Sequence, residues 1–132
     1  DPRLILKQSY ELLADDGVLI IFVPNGHSLV ARILRGYCST FNGKNHLWYF
    51  GPYTLKKMLA ELGYQVTKTY TLIAQIDEII NFLNYHSPYE NHNNDEEGVA
   101  FEGFHREALK EYIFSNNLGS KLIVYARKSD AD

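Results

Sequence analysis

The sequence of 132 residues has little cysteine and no concentration of charge of one sign. Its single cysteine, Cys38, cannot form a disulfide within the chain and favours a reducing compartment, so we expect a cytoplasmic protein. Lysine and arginine are scattered and the net charge is -3, which argues against a nucleic-acid partner because phosphate binding requires a basic surface. The longest apolar run, residues 18–23, is far too short to cross a bilayer, so we expect no membrane partner.

The composition that remains is that of a globular domain. Hydrophobic residues make up 45% of the chain and charged residues 22%, which places it among ordinary folded proteins. A chain of this length buries about two-thirds of its unfolded surface when it folds. We therefore expect residues 1–132 to form one domain with a sizeable core.

Helix and strand patterns alternate along the first half of the chain. Asp1 and Pro2 have the residue types of a helix N-cap and first helical position, and an apolar stripe predicts a helix to about residue 14. Residues 18–23 are apolar without interruption, which is typical of a strand covered on both faces. A short helix is predicted over 27–36, and residues 37–51 show no clear period.

The second half of the chain continues the alternation. Leucine and methionine recur at helical spacing between Pro52 and Gly63, and residues 64–72 alternate as a half-exposed strand near a sheet edge does. Helices that feed strands favour a layered α/β sheet. The remaining predicted elements are a helix over 76–85, a polar loop over 86–98, a helix over 104–117 and a strand over 122–126.

Three stretches share their order and spacing with a known family. They are DPRLILKQSYELLADDGVLIIFVPN (1–25), NHLWYFGPYTLKKMLAELGYQV (45–66) and GSKLIVYARK (119–128). Together they resemble the C-terminal half of class I S-adenosylmethionine-dependent methyltransferases, in the small-molecule branch related to ubiquinone-biosynthesis O-methyltransferases. In that family they correspond to the segments that contain the fifth strand, lead into the sixth strand and form the seventh strand.

The resemblance implies a partial Rossmann-like methyltransferase fold. Its fifth, seventh and sixth strands would form a three-stranded mixed sheet with flanking helices, and the last strand would lie antiparallel in the middle. The first four strands of the family are absent from this sequence. Residues 74–118 would be an inserted helical and loop excursion between the last two strands.

The resemblance also implies transfer of a methyl group from S-adenosylmethionine to a small-molecule acceptor. The family holds the cofactor with a glycine-rich turn and an acidic residue, and this sequence has neither. We therefore expect the cofactor to bind the full-length protein and not this chain, in which we assign no cofactor-binding residue. The start at a helix cap rather than at Met favours a piece of a longer protein. The alternative is a non-catalytic interaction or regulatory module that retains half of the fold.

The resemblance leaves the strand over 18–23 without a neighbour on one side. Its sequence has no charge, proline or bulge signal of the kind that protects natural sheet edges. We therefore expect the isolated chain to self-associate through this strand.

Five residues near the end of the first strand are candidates for the active site. His46 is the candidate catalytic base, because imidazole takes up protons near neutral pH. Open α/β sheets bind ligands at the carboxyl ends of their strands, and aromatic faces suit planar ligands and cations. The candidate substrate contacts are Asn25, His27, Trp48 and Tyr49. Structural roles remain open as alternatives: a turn for Asn25, a helix start for His27, a core or cap position for His46, and packing between helix and sheet for the aromatics.

No metal site is predicted. His86, His92 and His105 lie in or beside the polar loop and show no helical i, i+4 spacing, and Cys38 alone cannot complete a zinc site. We expect these histidines to be solvated surface residues.

Overall fold

The structure is a computed structural model that describes residues 1–91 and 102–129. Residues 92–98 of the predicted polar loop, including His92, therefore lie outside the described residues. The α/β class is confirmed. In chain order the elements are α1 (Pro2–Leu12), β1 (Leu19–Pro24), α2 (Leu29–Leu34), two 3-10 turns (Arg35–Tyr37 and Ser39–Phe41), α3 (Pro52–Glu61), β2 (Tyr64–Leu72), α4 (Ile76–Leu83), α5 (Gly103–Ser115) and β3 (Lys121–Lys128).

The three strands form one open sheet in the order β1-β3-β2. β3, the last strand in the chain, pairs antiparallel with both neighbours, which is the order and direction that the resemblance implies. The prediction of a mixed sheet was wrong. β1 and β2 run in the same direction, but β3 separates them, so every hydrogen-bonded strand pair is antiparallel.

The helix termini follow the local sequence. The Asp1 carboxylate accepts a hydrogen bond from the Arg3 backbone N–H at 2.9 Å, which confirms the predicted N-cap of α1. Gly63 follows α3 with a φ of +85°, a left-handed conformation that glycine adopts without a steric penalty. Asp1 therefore sets where α1 begins, and Gly63 sets where α3 ends before β2.

Helices α1 and α3 cover one face of the sheet and form the main core with it. The fully buried side chains of this core come from both helices and from β2 and β3. The Tyr64 hydroxyl donates to the Leu6 carbonyl at 2.9 Å and ties the start of β2 to α1. The buried members are Leu6, Leu55, Leu59, Tyr64, Leu122, Val124 and Ala126.

On the opposite face of the sheet, no described element covers β1. Ile20 and Phe22 on this side of β1 are 58% and 61% exposed, whereas Leu19, Ile21 and Val23 pack on the core. The prediction that both faces of this strand are covered was therefore wrong for the described residues, because α1 and α3 both lie on one side. We call this side the open face; by strand register it comprises Ile20, Phe22, Gln65, Lys68, Tyr70, Leu72, Lys121, Ile123, Tyr125 and Arg127.

A bulge in β2 changes which side chains point to the core. The register of β2 against β3 shifts between Val66 and Lys68. Tyr64 therefore faces the helices, but Tyr70 pairs with Ile123 on the open face. A simple alternation along residues 64–72 predicted one apolar face, and the extra residue in the bulge is the reason that the side chains divide between two faces.

The remaining helices gather at one end of the sheet. β1 leads into α2 and β2 leads into α4 where these strands finish, and α5 leads into β3 where that strand begins. Ile79 packs with α2, and Ile113 packs with the other side of α4. The residues of 74–118 that the structure describes thus lie beside the carboxyl ends of β1 and β2.

Candidate functional site

Asn25 organises the rim at the end of β1. Its side chain is fully buried, and its amide nitrogen donates to the carbonyls of Asn117 and Gly119 at 3.0 and 2.8 Å. Its amide oxygen accepts from the His27 backbone N–H at 3.0 Å. A buried amide with these partners is satisfied, so Asn25 holds β1, α2 and the start of β3 together. Its role as a substrate contact stays a prediction.

Two candidate side chains lie against backbone beside Asn25. The His27 ring is so close to Gly51 that a β-carbon there would lie 2.5 Å from Nδ1, and the histidine is exposed to solvent. The half-buried Tyr49 covers Gly26 in the same way, with its Cβ at 3.2 Å from such an added carbon. A side chain at Gly51 would displace the exposed His27 ring, whereas a side chain at Gly26 would require Tyr49 to shift by a few tenths of an ångström.

His46 lines a polar cleft of 380 Å³ where β1 and β2 end. Because β3 is antiparallel to both, its first residues reach the same cleft. The wall therefore combines side chains from the loop over 38–50, from the start of α4 and from the start of β3. The lining residues are Ser39, Thr40, Asn42, His46, Ile73, Gln75, Glu78, Ser120 and Lys121.

The segment between β2 and α4 forms one wall of this cleft in a strained conformation. Ile73 and Gln75 have φ values of +61° and +54°. Positive φ is costly for any side chain other than glycine and most unusual for a β-branched residue. The Ile73 carbonyl accepts from the Ser120 N–H at 2.9 Å, and Gln75 Nε2 donates to Glu78 Oε1 at 3.2 Å. These bonds hold the strained segment against β3 and α4.

A second opening of 320 Å³ lies on the other side of the same segment. Arg106 on α5 and Asp77 on α4 line it and form an ion pair of 2.7 Å. The hydrogen bond to Asp77 raises the pKa of the Arg106 guanidinium further above its already high value. Ile73, Gln75 and Glu78 contribute to both openings, so this short segment separates two adjacent polar sites.

Of the five predicted site residues, only His46 lines the cleft. Trp48 is 58% exposed, so it does not fill a gap between helix and sheet. Tyr49 packs edge-on against Phe41 at 5.0 Å between ring centroids. Asn25, His27 and Tyr49 lie along the same rim without lining the cleft.

Sequence reasoning missed Glu78, Lys121 and Gln75 in the cleft wall. These residues lie 29 or more positions after His46 in the chain, so only the sheet topology brings them to it. The sequence contained one weak indication of Lys121. The resemblance places the last strand antiparallel to the first, so the last strand is expected to begin with Lys121 near the end of β1.

The turn after β1 does not fit S-adenosylmethionine. A turn that cradles a cofactor offers free backbone N–H groups. Here the N–H of Gly26 donates to the Phe50 carbonyl at 2.9 Å, and the N–H groups of His27 and Ser28 donate to Asn25 at 3.0 and 3.1 Å. We therefore assign no cofactor contact to this turn.

The described ranges contain no group of three or more histidine, cysteine, aspartate or glutamate side chains placed to hold a metal ion. Within the same ranges, no helix has the length and apolar character needed to cross a membrane. Cys38 is buried and unpaired, in the cluster formed by α2 and α4.

Comparison with known proteins adds no relative: no protein-family model matches the chain, and no curated protein matches it significantly.

Proposed function

We propose that this chain forms the acceptor side of an S-adenosylmethionine-dependent methyltransferase, with a partial Rossmann-like fold, that transfers a methyl group to a small molecule. The observation that carries the proposal is the strand order β1-β3-β2, in which the last strand lies antiparallel between two strands of common direction. The resemblance implies this order for the fifth, seventh and sixth strands. Few simple connections place the last strand of a chain in the middle of a sheet, because sequential strands usually pair with each other.

In this proposal His46 accepts the proton that the acceptor hydroxyl loses when it is methylated. The cleft suits this role because it lies at the carboxyl ends of β1 and β2, where open α/β sheets bind ligands. Lys121 and Glu78 in the same wall offer a cation and a carboxylate to orient polar groups of the acceptor. Asn25 serves as a positioning residue, because it fixes the backbone of His27 and the start of β3.

In this proposal the cofactor is held by the N-terminal half of the family's fold, because the glycine-rich turn and the acidic residue that hold it there have no counterpart in this sequence. S-adenosylmethionine supplies the methyl group when bound to the full-length protein, and the isolated chain is expected not to bind it. The buried, unpaired Cys38 supports a reducing compartment, so we place the protein in the cytoplasm.

The test uses the full-length protein with methyl-labelled S-adenosylmethionine and a small-molecule extract of the cells that express it. Labelled product is separated from cofactor by chromatography. We expect transfer by the wild type and a loss of about 100-fold or more in His46→Ala, since a general base contributes about 10²–10⁴ in rate. The melting temperature of the variant should change little.

His105→Ala is the matched control, because this exposed histidine on α5 lies away from the cleft. It should retain the wild-type rate. A His46→Ala variant with the wild-type rate and a large drop in melting temperature would make His46 a structural residue. Absence of both cofactor binding and transfer in the full-length protein would contradict the proposed function as a whole.

The second candidate is a non-catalytic interaction or regulatory module. The open face favours it, because large apolar side chains such as Ile20 and Phe22 are exposed side by side on one strand. In this case the full-length protein would bind a partner through that face and would transfer no methyl group.

We also propose that the isolated chain self-associates through the outer edge of β1. Within the described residues β1 pairs along its length with β3 alone, and only a parallel bridge between Asn25 and Phe50 protects the end of the other edge. The strand between Leu19 and Val23 carries no charge or proline that would discourage pairing with another chain.

Light scattering behind a sizing column tests this pairing at tens of micromolar chain. The wild type should have more than the monomer mass, and Ile20→Lys should reduce it toward the monomer because a lysine disfavours strand pairing at an edge. A wild type that is monomeric, soluble and cooperatively folded would contradict the self-association and the half-fold interpretation behind it.

A further inference from the structure

The cleft at the strand ends is polar on almost every side. Ile73 is the only apolar residue among the described residues that line it, and the others carry hydroxyl, amide, imidazole or charged side chains. Its volume of 380 Å³ is near the lower end of the range for small-molecule pockets, about 300–1,000 Å³. A cleft of this size and polarity suits a small hydrophilic molecule and not one with a long apolar tail.

Two charged side chains of opposite sign line the cleft, and Glu78 is the one that already has partners. Glu78 Oε1 accepts a hydrogen bond from Gln75 Nε2 at 3.2 Å. The pKa of Arg106 in the adjacent opening is raised first by its hydrogen bond to Asp77, and the Glu78 charge adds a smaller Coulombic contribution. The negative charge of Glu78 is therefore met by a donor and a cation of the protein itself.

Lys121 has no carboxylate partner within the part of the chain that the structure describes, because the ion pairs found there all use other cations. The residue is half-buried at the start of β3, opposite Pro24 of β1 and Leu72 of β2 in the strand register. A partly buried ammonium loses some of its hydration and is stabilised by an anion beside it. The unmatched charge of the cleft is thus positive.

From these observations we propose that the acceptor is a small hydroxy acid whose carboxylate binds Lys121 in the same cleft as His46. The inference rests on the proposed function for the role of His46, but the anion site at Lys121 does not depend on methyl transfer. The hydroxyl and amide side chains of Ser39, Asn42 and Gln75 can exchange hydrogen bonds with the hydroxyl groups of such a molecule.

A carboxylate fits this site better than a phosphate does. A phosphate group carries a charge of about -1.5 to -2 near neutral pH. Lys121 offers a single positive charge, and Glu78 in the same wall would repel the additional negative charge. Phosphate sites commonly use free backbone N–H groups, but the N–H groups of Ser39 and Ser120 in this wall already donate to other protein groups at 2.6 and 2.9 Å.

Four probes that share two hydroxyl groups test the anion site without methyl transfer. They are glycerate, its uncharged amide glyceramide, glycerol 3-phosphate and 3-amino-1,2-propanediol. Each is titrated into the ¹⁵N-labelled full-length protein at constant ionic strength, and amide shifts locate and quantify binding. We expect glycerate to shift the amides of Ser39, Gln75 and Lys121 and to bind about tenfold more tightly than glyceramide, since it adds a charge-assisted hydrogen bond. The phosphate and the amine should bind more weakly than glycerate.

Three variants locate the charge that makes this selection. Lys121→Gln keeps a hydrogen-bond donor without the charge and should abolish the preference for glycerate over glyceramide. Glu78→Gln should strengthen glycerate binding, because it removes a like charge while its amide oxygen still accepts from Gln75. Lys56→Gln removes the same charge from the exposed side of α3 and should leave all affinities unchanged. Melting curves show whether each variant remains folded.

The transfer assay with the cell extract gives a second readout. The labelled product should bind an anion-exchange resin at neutral pH and should leave it at about pH 2.5, where a carboxylic acid is uncharged and a phosphate monoester still carries a negative charge. A preference for glycerate that depends on Lys121, without any methyl transfer, would support the anion site and contradict the proposed function alone. Transfer to a neutral product would leave the proposed function in place and overturn the hydroxy-acid inference.

Three binding results would also overturn the inference. One is equal affinity for glycerate and glyceramide, and another is an undiminished preference for glycerate in the folded Lys121→Gln variant. The third is tighter binding of a different probe: glycerol 3-phosphate would assign the cleft to phosphorylated molecules, and 3-amino-1,2-propanediol would assign it to cations that bind Glu78.

Discussion

The two faces of the sheet have the same backbone and opposite surroundings. On the helix side, Leu122 and Val124 of β3 are buried under α1 and α3. On the open face, Ile123 and Tyr125 of the same strand are only half-buried, and their β1 neighbours Ile20 and Phe22 are mostly exposed. The position of the core therefore does not follow from the apolar residues of the sequence alone. An apolar side chain gains burial energy only where another element covers it.

Because of this difference, we expect the helix side to determine stability and the other surfaces to determine binding. The helix side should determine the free energy of unfolding, since each fully buried aliphatic side chain contributes about 1.5–3 kcal/mol. The open face and the cleft at the strand ends should tolerate substitution in the folded chain and should affect binding or chemistry instead. Substitutions on each side test that division.

The largest effect is expected from Leu59→Ala. Leu59 is fully buried between α3 and the sheet, so its truncation should lower the free energy of unfolding by about 2–5 kcal/mol. Phe22→Ala removes a larger side chain from the open face and should change it by about 0.5 kcal/mol or less. Urea unfolding followed by circular dichroism measures both. A Phe22→Ala loss as large as that of Leu59→Ala would mean that the open face is covered in solution.

A smaller loss is expected from Asn25→Ala. The substitution leaves the Gly119 carbonyl and the His27 N–H without their buried partner, which should cost about 1–3 kcal/mol. Asn45→Ala in the exposed loop is the matched control and should have almost no effect. If Asn25→Ala retained full stability, the end of β1 would be held by contacts other than this amide.

Local sequence signals predicted most of the fold. The N-cap at Asp1, the glycine after α3 and the positions of the three strands follow from short-range chemistry. The resemblance added the insertion of β3 between β1 and β2, which no local pattern contains. The bulge at residues 66–68 was missed: Lys68 interrupts the apolar set of the alternation at this point, but no glycine marks a bulge there.

The candidate site was less predictable. His46 was chosen from its place after the first strand, and it does line a cleft. Its partners Glu78 and Lys121 come from elements that only the folded sheet brings together. Asn25 has the residue type of a turn and the burial of a core residue, and sequence alone does not distinguish the two.

The one-sided burial of β1 is tested most directly by placing the same substitution at two adjacent positions. Ile20 points to the open face and Ile21 to the core, so Ile20→Lys and Ile21→Lys differ only in the side of the sheet that receives the charge. At a chain concentration at which light scattering finds the wild type and both variants monomeric, denaturant unfolding should show a change of about 0.5 kcal/mol or less for Ile20→Lys. For Ile21→Lys it should show a loss of about 3 kcal/mol or more, or no folded protein, because the core offers the ammonium no partner. Equal losses at the two positions would contradict the account, since they would mean that both faces of this strand are buried.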